Sequence, residues 1–252
     1  MLSEFASGLK AYFKGSEFYS RPFFIKYMFI SGAISLICFV GLMAVIYEWG
    51  DNLGLSLISG VTGSSIGSTV VEKIVSVLSI VALWVLVLFI FKYIVLIIVA
   101  PVMSVLSERI ESEITGTPID QNLSIKNQLY LMVRGVSIAI SNLSRELFFT
   151  FILLLLSLIP GLAIFTTVLI FLIQAYYAGF GNLDLFMERH FNRKESRRFV
   201  SAHKAVAAAN GSVFLFLILI PFIGAFIAPA LATVAATISG VDLLEKEEAL
   251  NY

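Results

Sequence analysis

The chain is poor in charge, in cysteine and in proline, and each shortage excludes something. One cysteine, Cys38, is present among 252 residues. A lone thiol rules out an intramolecular disulfide and a cysteine-built zinc site. Asp, Glu, Lys and Arg together make up 13% of the chain, against about 25% in a soluble domain. The 17 basic and 17 acidic side chains cancel, so no net field gathers nucleic acid. No G-x-S-x-G elbow, H-E-x-x-H pair or phosphate loop is found. Glu108 and Glu111 match the acidic pair of an intramembrane hydrolase only loosely. The expectation is a protein without catalysis, cofactor or metal. No cleavable signal peptide is expected either, since the first apolar run starts after residue 22 and exceeds any h-region.

What fills the space is apolar. Hydrophobic residues make up 59% of the chain and the mean hydropathy is +0.95. These values define an integral membrane protein. The polar and Gly/Pro-rich breaks divide it as follows. Residues 1–21 carry Lys10, Lys14 and Arg21 beside Phe5, Leu9, Tyr12 and Phe13 at helical spacing, an amphipathic helix for the membrane surface. Residues 23–49 form the first span and 50–69 an external Gly/Ser-rich loop. Residues 70–115 form a second span with a charged extension, stopped at Thr115-Gly116-Thr117-Pro118. Residues 123–145 are amphipathic, with an apolar stripe of Ile125, Leu129, Met132, Val136, Ile140 and Leu143.

Two apolar hairpins complete the chain, at 146–184 and 205–240. The first turns at Pro160-Gly161 and the second at Pro221-Phe-Ile-Gly224. The leg from Leu147 to Ile159 is roughly 20 Å long, short of the ~30 Å hydrocarbon core. Both hairpins therefore read as half-penetrating, with full crossing and six spans as the alternative. The matching Leu-Ile-Pro turns also suggest an internal repeat. Between the hairpins lies a basic helix, 192–204, opened by Asn192 and Glu195 as a capping box. The loop after Asp51 lacks Lys and Arg until Lys73, whereas the other polar segments carry them. The N- and C-termini are therefore expected in the cytoplasm.

These landmarks occur in a telling order. Pro22 and Lys26 open the first span. Ala100-Pro101 precedes Glu108-x-x-Glu111-x-x-x-Thr115-Gly116. Ile159-Pro160-Gly161 leads to an aromatic run ending in Asp184, His190 and the basic helix. The order resembles the CysZ sulfate permease family, related to the etoposide-induced membrane proteins. The resemblance implies two long transmembrane helices, two re-entrant hairpins, a homo-oligomer in the bacterial inner membrane, and sulfate as the substrate. It also implies a sulfate site near the start of the first long helix, at a basic pair. Here that pair is Ile25-Lys26, and the family's Asn-like position falls near Ser35.

Candidate residues follow. Lys26 sits where a helix N-terminus presents free N–H groups to an anion; otherwise it is a snorkelling interfacial lysine. Arg21, just before Pro22, is a second anion-binding candidate. Lys92 lies deep in an apolar run, facing a water-filled path or snorkelling to the inner interface. Asp184, Arg189 and His190 form a cytoplasmic polar cluster with Glu188. Asp184 and Glu188 share a helix face that His190 does not, so a metal site is not expected and an arginine partner or a cap for Asp184 is. Arg193, Lys194, Arg197 and Arg198 suit anionic lipid or serve topology alone. The expected function is a transporter or channel for sulfate or a related small oxyanion. The alternative is a structural or lipid-interacting membrane protein that carries nothing.

Overall fold

The computed structural model describes residues 1–61, 93, 97–118, 125–159, 161–220 and 223–250. Helix is the only regular structure among them. The helices are α1 (Leu2–Lys14), α2 (Ser16–Tyr19), α3 (Pro22–Val61), α4 (97–115), α5 (Ile125–Ser157), α6 (Ala163–Met187), α7 (Arg193–Ala202), α8 (Lys204–Ile218) and α9 (Ile223–Leu250). Among the described residues four stretches are long and apolar enough to cross a membrane: Pro22–Ala44, Val133–Ser157, Ala163–Met187 and Phe226–Ala249. The protein is a helical membrane bundle, with four such stretches among the described residues.

Several boundaries differ from the sequence reading. α3 continues to Val61, past the expected start of the external loop at residue 50. Gly and Ser there weaken a helix by only about 1 kcal/mol each, and no proline interrupts it. The rest of that loop, most of the second span and Lys92 lie outside the described residues. α5 is one helix of 33 residues, so the amphipathic stretch 123–145 and the first hairpin leg are continuous. The leg thus does not begin at Leu147, and the argument from its shortness falls. α4 does end at Thr115, with Gly116 at φ +71°, where glycine avoids the left-handed penalty.

α5 buries a largely polar row. Arg134, Ile138, Asn142 and Glu146, spaced four apart, are buried. Tyr130, Val133 and Ile140 are exposed. In water an apolar stripe turns inward. In lipid it turns outward, and the polar positions seek protein.

The centre of the bundle is built from small residues. α6 and α8 cross so closely that a Cβ on Gly179 would lie 1.8 Å from the Ala207 carbonyl oxygen, and one on Gly211 1.8 Å from that of Ala175. Such small-xxx-small contacts let backbones meet where lipid offers no hydrophobic drive. Asn182 Nδ2 donates to Asn210 Oδ1 (2.8 Å), and Asn210 Nδ2 to the Ala232 carbonyl (3.0 Å), tying α6, α8 and α9. α9 supplies Ala228, Ala230, Ala232, Ala235 and Ala236, all buried. α1 joins this core through Gly8 and Ala11, its buried residues. Tyr12 of the predicted stripe packs beside them and donates to the Asn210 carbonyl (2.8 Å), while Phe13 is exposed.

Candidate functional site

Pro22 opens α3, and its ring needs no N–H partner at that position. One turn on, Lys26 and Tyr27 line a cleft of about 220 Å³ with Phe23, Val105, Glu108 and Arg109. Lys26 Nζ lies 5.7 Å from the Tyr27 ring centroid. The Arg109 guanidinium lies 5.6 Å from the centre of the Phe23 ring. Its ion pair with Glu113 is long, 3.9 Å, and solvent-exposed, hence weak. Both cations are thus held at the cleft on aromatic faces. Arg21 does not line the cleft. Its carbonyl accepts the Ile25 N–H at 3.2 Å. Ser35 is buried and its hydroxyl finds no partner among the described residues. Arg109 escapes sequence reasoning because it is far from Lys26 along the chain.

The lower end of α6 carries a second polar region, and it divides in two. In the first part, Arg134 donates to both oxygens of Asp184 at 3.0 Å. Ser196 Oγ adds a 2.5 Å bond to Asp184 Oδ1. Arg134 Nη1 also lies 3.7 Å from Glu188 Oε2, and Ser104 Oγ donates to Glu188. Ser196 is placed by α7, whose Asn192–Glu195 capping box is fully formed. Glu188 stands one residue beyond the apolar span. Burial pushes its carboxyl up to about 7, reinforced by Asp184 and opposed by Ser104, Arg189 and Arg134.

In the second part, Arg189 Nε donates to Glu111 Oε2 (2.9 Å) and His190 Nε2 bonds Glu111 Oε1 (2.6 Å). Arg189 Nη2 also donates to Ser107 Oγ at 2.8 Å, and Ser107 bonds Thr237 at 2.8 Å. Burial raises the Glu111 carboxyl, but the His190 and Arg189 contacts outweigh it and hold it below the usual range. Asp184 and His190 therefore belong to separate networks. Arg134, Ser196 and Ser104 were not singled out in the sequence. The i, i+4 series Arg134–Ile138–Asn142–Glu146 is the signal that marks Arg134, once polar positions are expected to face inward. On the same face, Tyr93 donates to the fully buried Glu146.

A helical membrane protein with charge concentrated at helix ends is the class these features define. Within that class, residues 11–229 match the family described as Sulfate transporter CysZ/Etoposide-induced protein 2.4. The chain belongs to that family. No match was found among curated proteins.

Proposed function

We propose that the protein passes sulfate or a related small oxyanion across a membrane, and that Lys26 and Arg109 form the entry site. The observation that carries this is the cleft at the start of α3, where two cations from different helices face one small volume. Arg109 supplies the second positive charge that position 25, an isoleucine, does not. Glu108 in the same cleft offsets part of the attraction. Weak binding suits passage, since an ion held too tightly does not leave. The family description names a sulfate transporter, which supports the choice of anion.

The finer layout belongs to the same proposal. α8 has 15 residues, about 22 Å, too short to cross ~30 Å of hydrocarbon. α8 therefore enters the membrane without crossing it, and the distribution of basic residues puts both termini on the cytoplasmic side. The working form is a homo-oligomer in the bacterial inner membrane.

Equilibrium dialysis of purified protein against radiolabelled sulfate tests the site. Lys26→Ala and Arg109→Ala should each weaken binding by about 10–100-fold, the loss of one charge-assisted bond. No sulfate bound at millimolar concentration, or full affinity in Lys26→Ala, would overturn the assignment. A second reading is favoured by the exposed Arg193, Lys194 and Arg198 on α7: binding of anionic lipid without transport. Dependence on anionic lipid with no anion flux would select it.

A further inference from the structure

α5 and α7 meet through serine and arginine. The Arg193 guanidinium donates to the Ser137 carbonyl (3.4 Å), and that of Arg197 to Ser141 Oγ (3.1 Å). Ser137 and Ser141 are four apart and share a face of α5, and Arg145 stands one turn further along it. Arg193 and Arg197 are likewise four apart on α7. The two rows face each other, and three guanidiniums converge on one junction. Arg145 and Arg193 are exposed, and Arg197 is half-buried.

No carboxylate joins them. Among the described residues, none of the three arginines forms an ion pair. Glu146, beside Arg145 in the chain, is buried and accepts from Tyr93 instead. Burial, then the charges of Arg145 and Arg193, push the Arg197 guanidinium below its ordinary value. Arg193 and Lys194 also open α7, where the helix dipole disfavours cations. Positive charge on the cytoplasmic side serves topology, but topology does not require convergence across two helices at this cost.

A separate observation points to the occupant. Arg145 is an exposed charge within Val133–Ser157, a stretch apolar enough to cross a membrane. Such a charge is costly in lipid unless an anion meets it. One and two turns beyond it the same face carries Phe148, Phe149 and Ile152, all exposed. A ligand that matches both features is anionic at one end and hydrocarbon along the rest. A phospholipid has that order, phosphate first and acyl chain after it. Free phosphate would leave the apolar face unused.

We infer that the α5–α7 junction binds an anionic phospholipid, its phosphate at Arg145, Arg193 and Arg197 and an acyl chain along Phe148, Phe149 and Ile152. This moves the lipid contact from the exposed Lys194 and Arg198 to a site between two helices. It holds whether or not the protein passes an anion at Lys26.

The test uses the full chain in nonionic detergent, with phosphatidylglycerol and phosphatidylcholine labelled on one acyl chain as probes. The wild type should bind phosphatidylglycerol at least about tenfold tighter, the equivalent of one charge-assisted bond. Arg145→Gln/Arg197→Gln should remove most of that preference. Lys194→Gln/Arg198→Gln removes the same amount of charge and should keep it. Ser141→Glu leaves every arginine in place and sets a carboxylate one turn before Arg145, beside Arg197. That variant should lose the preference while its thermal stability stays at or above that of the wild type. Millimolar inorganic phosphate should not displace the lipid. Equal binding of the two lipids, displacement by phosphate, or an equal loss in Lys194→Gln/Arg198→Gln would overturn the inference. So would an undiminished preference in a stably folded Ser141→Glu protein.

Discussion

α5 and α9 are nearly equal in mean hydropathy, 1.6 against 1.7, yet 17% of the α5 span is buried and 78% of the α9 span. Hydropathy therefore does not tell lipid-facing helices from central ones. Side-chain size does. The exposed part of α5 presents Phe148, Phe151, Leu154 and Leu155. α9 presents alanines with Thr233, Thr237 and Gly240. Large apolar side chains gain nothing by leaving lipid for protein, whereas small ones allow backbones to approach and dispersion contacts to accumulate.

The strongest way to break that contrast is to enlarge a residue at the centre. Gly179→Leu or Gly211→Leu puts a side chain into a facing carbonyl. The cost should reach at least about 3 kcal/mol, the top of the usual overpacking range. Loss of monodisperse protein on size-exclusion chromatography is expected. Wild-type melting behaviour in both variants would show that α6 and α8 do not touch.

Next in size is the buried ion pair. Arg134→Met leaves Asp184 uncompensated and should cost about 3–5 kcal/mol. Adding Asp184→Leu should recover much of it. If the double variant is no more stable than Arg134→Met alone, the pairing is not what holds α5 to α6.

Protonation sharpens the picture at the same junction. The Glu188 carboxyl is raised from 4.5 to about 7. A raised folded value gives stability that is complete below the unfolded value and is lost as pH rises through 7. Melting followed from about pH 5 to pH 8 should lose on the order of 3 kcal/mol from this group. Glu188→Gln should flatten the profile. Glu111 acts in the opposite sense: its lowered value gives stability present above 4.5 and lost as pH falls further. A profile unchanged by Glu188→Gln would refute the buried charge.

The smallest effect belongs to the lipid face. Phe151→Ala and Leu154→Ala should each shift stability by within about 0.5 kcal/mol in detergent. A larger loss would mean that the face packs against protein.

The sequence made the class legible through its apolar runs, and the turns through Gly161 and Gly116. It showed the α7 cap because Asn192 and Glu195 are local. It named an apolar stripe on α5 but not the buried row Arg134–Ile138–Asn142–Glu146, because in lipid the polar positions seek protein. It drew α3 too short, because Gly and Ser were weighed as breakers although each weakens a helix by only about 1 kcal/mol. It could not pair Arg134 with Asp184 or Lys26 with Arg109. Those meetings depend on the packing of α5 against α6 and of α3 beside α4, and no local pattern encodes them.

The central claim is a path for a small oxyanion that begins between Lys26 and Arg109. Radiolabelled sulfate uptake into proteoliposomes of purified protein tests it most directly, with Lys26→Ala/Arg109→Ala as the paired control. Saturable uptake by the wild type, reduced by at least about tenfold in a stably folded double variant, is the predicted result. Uptake no greater than that of empty liposomes, or equal in wild type and double variant, would contradict it.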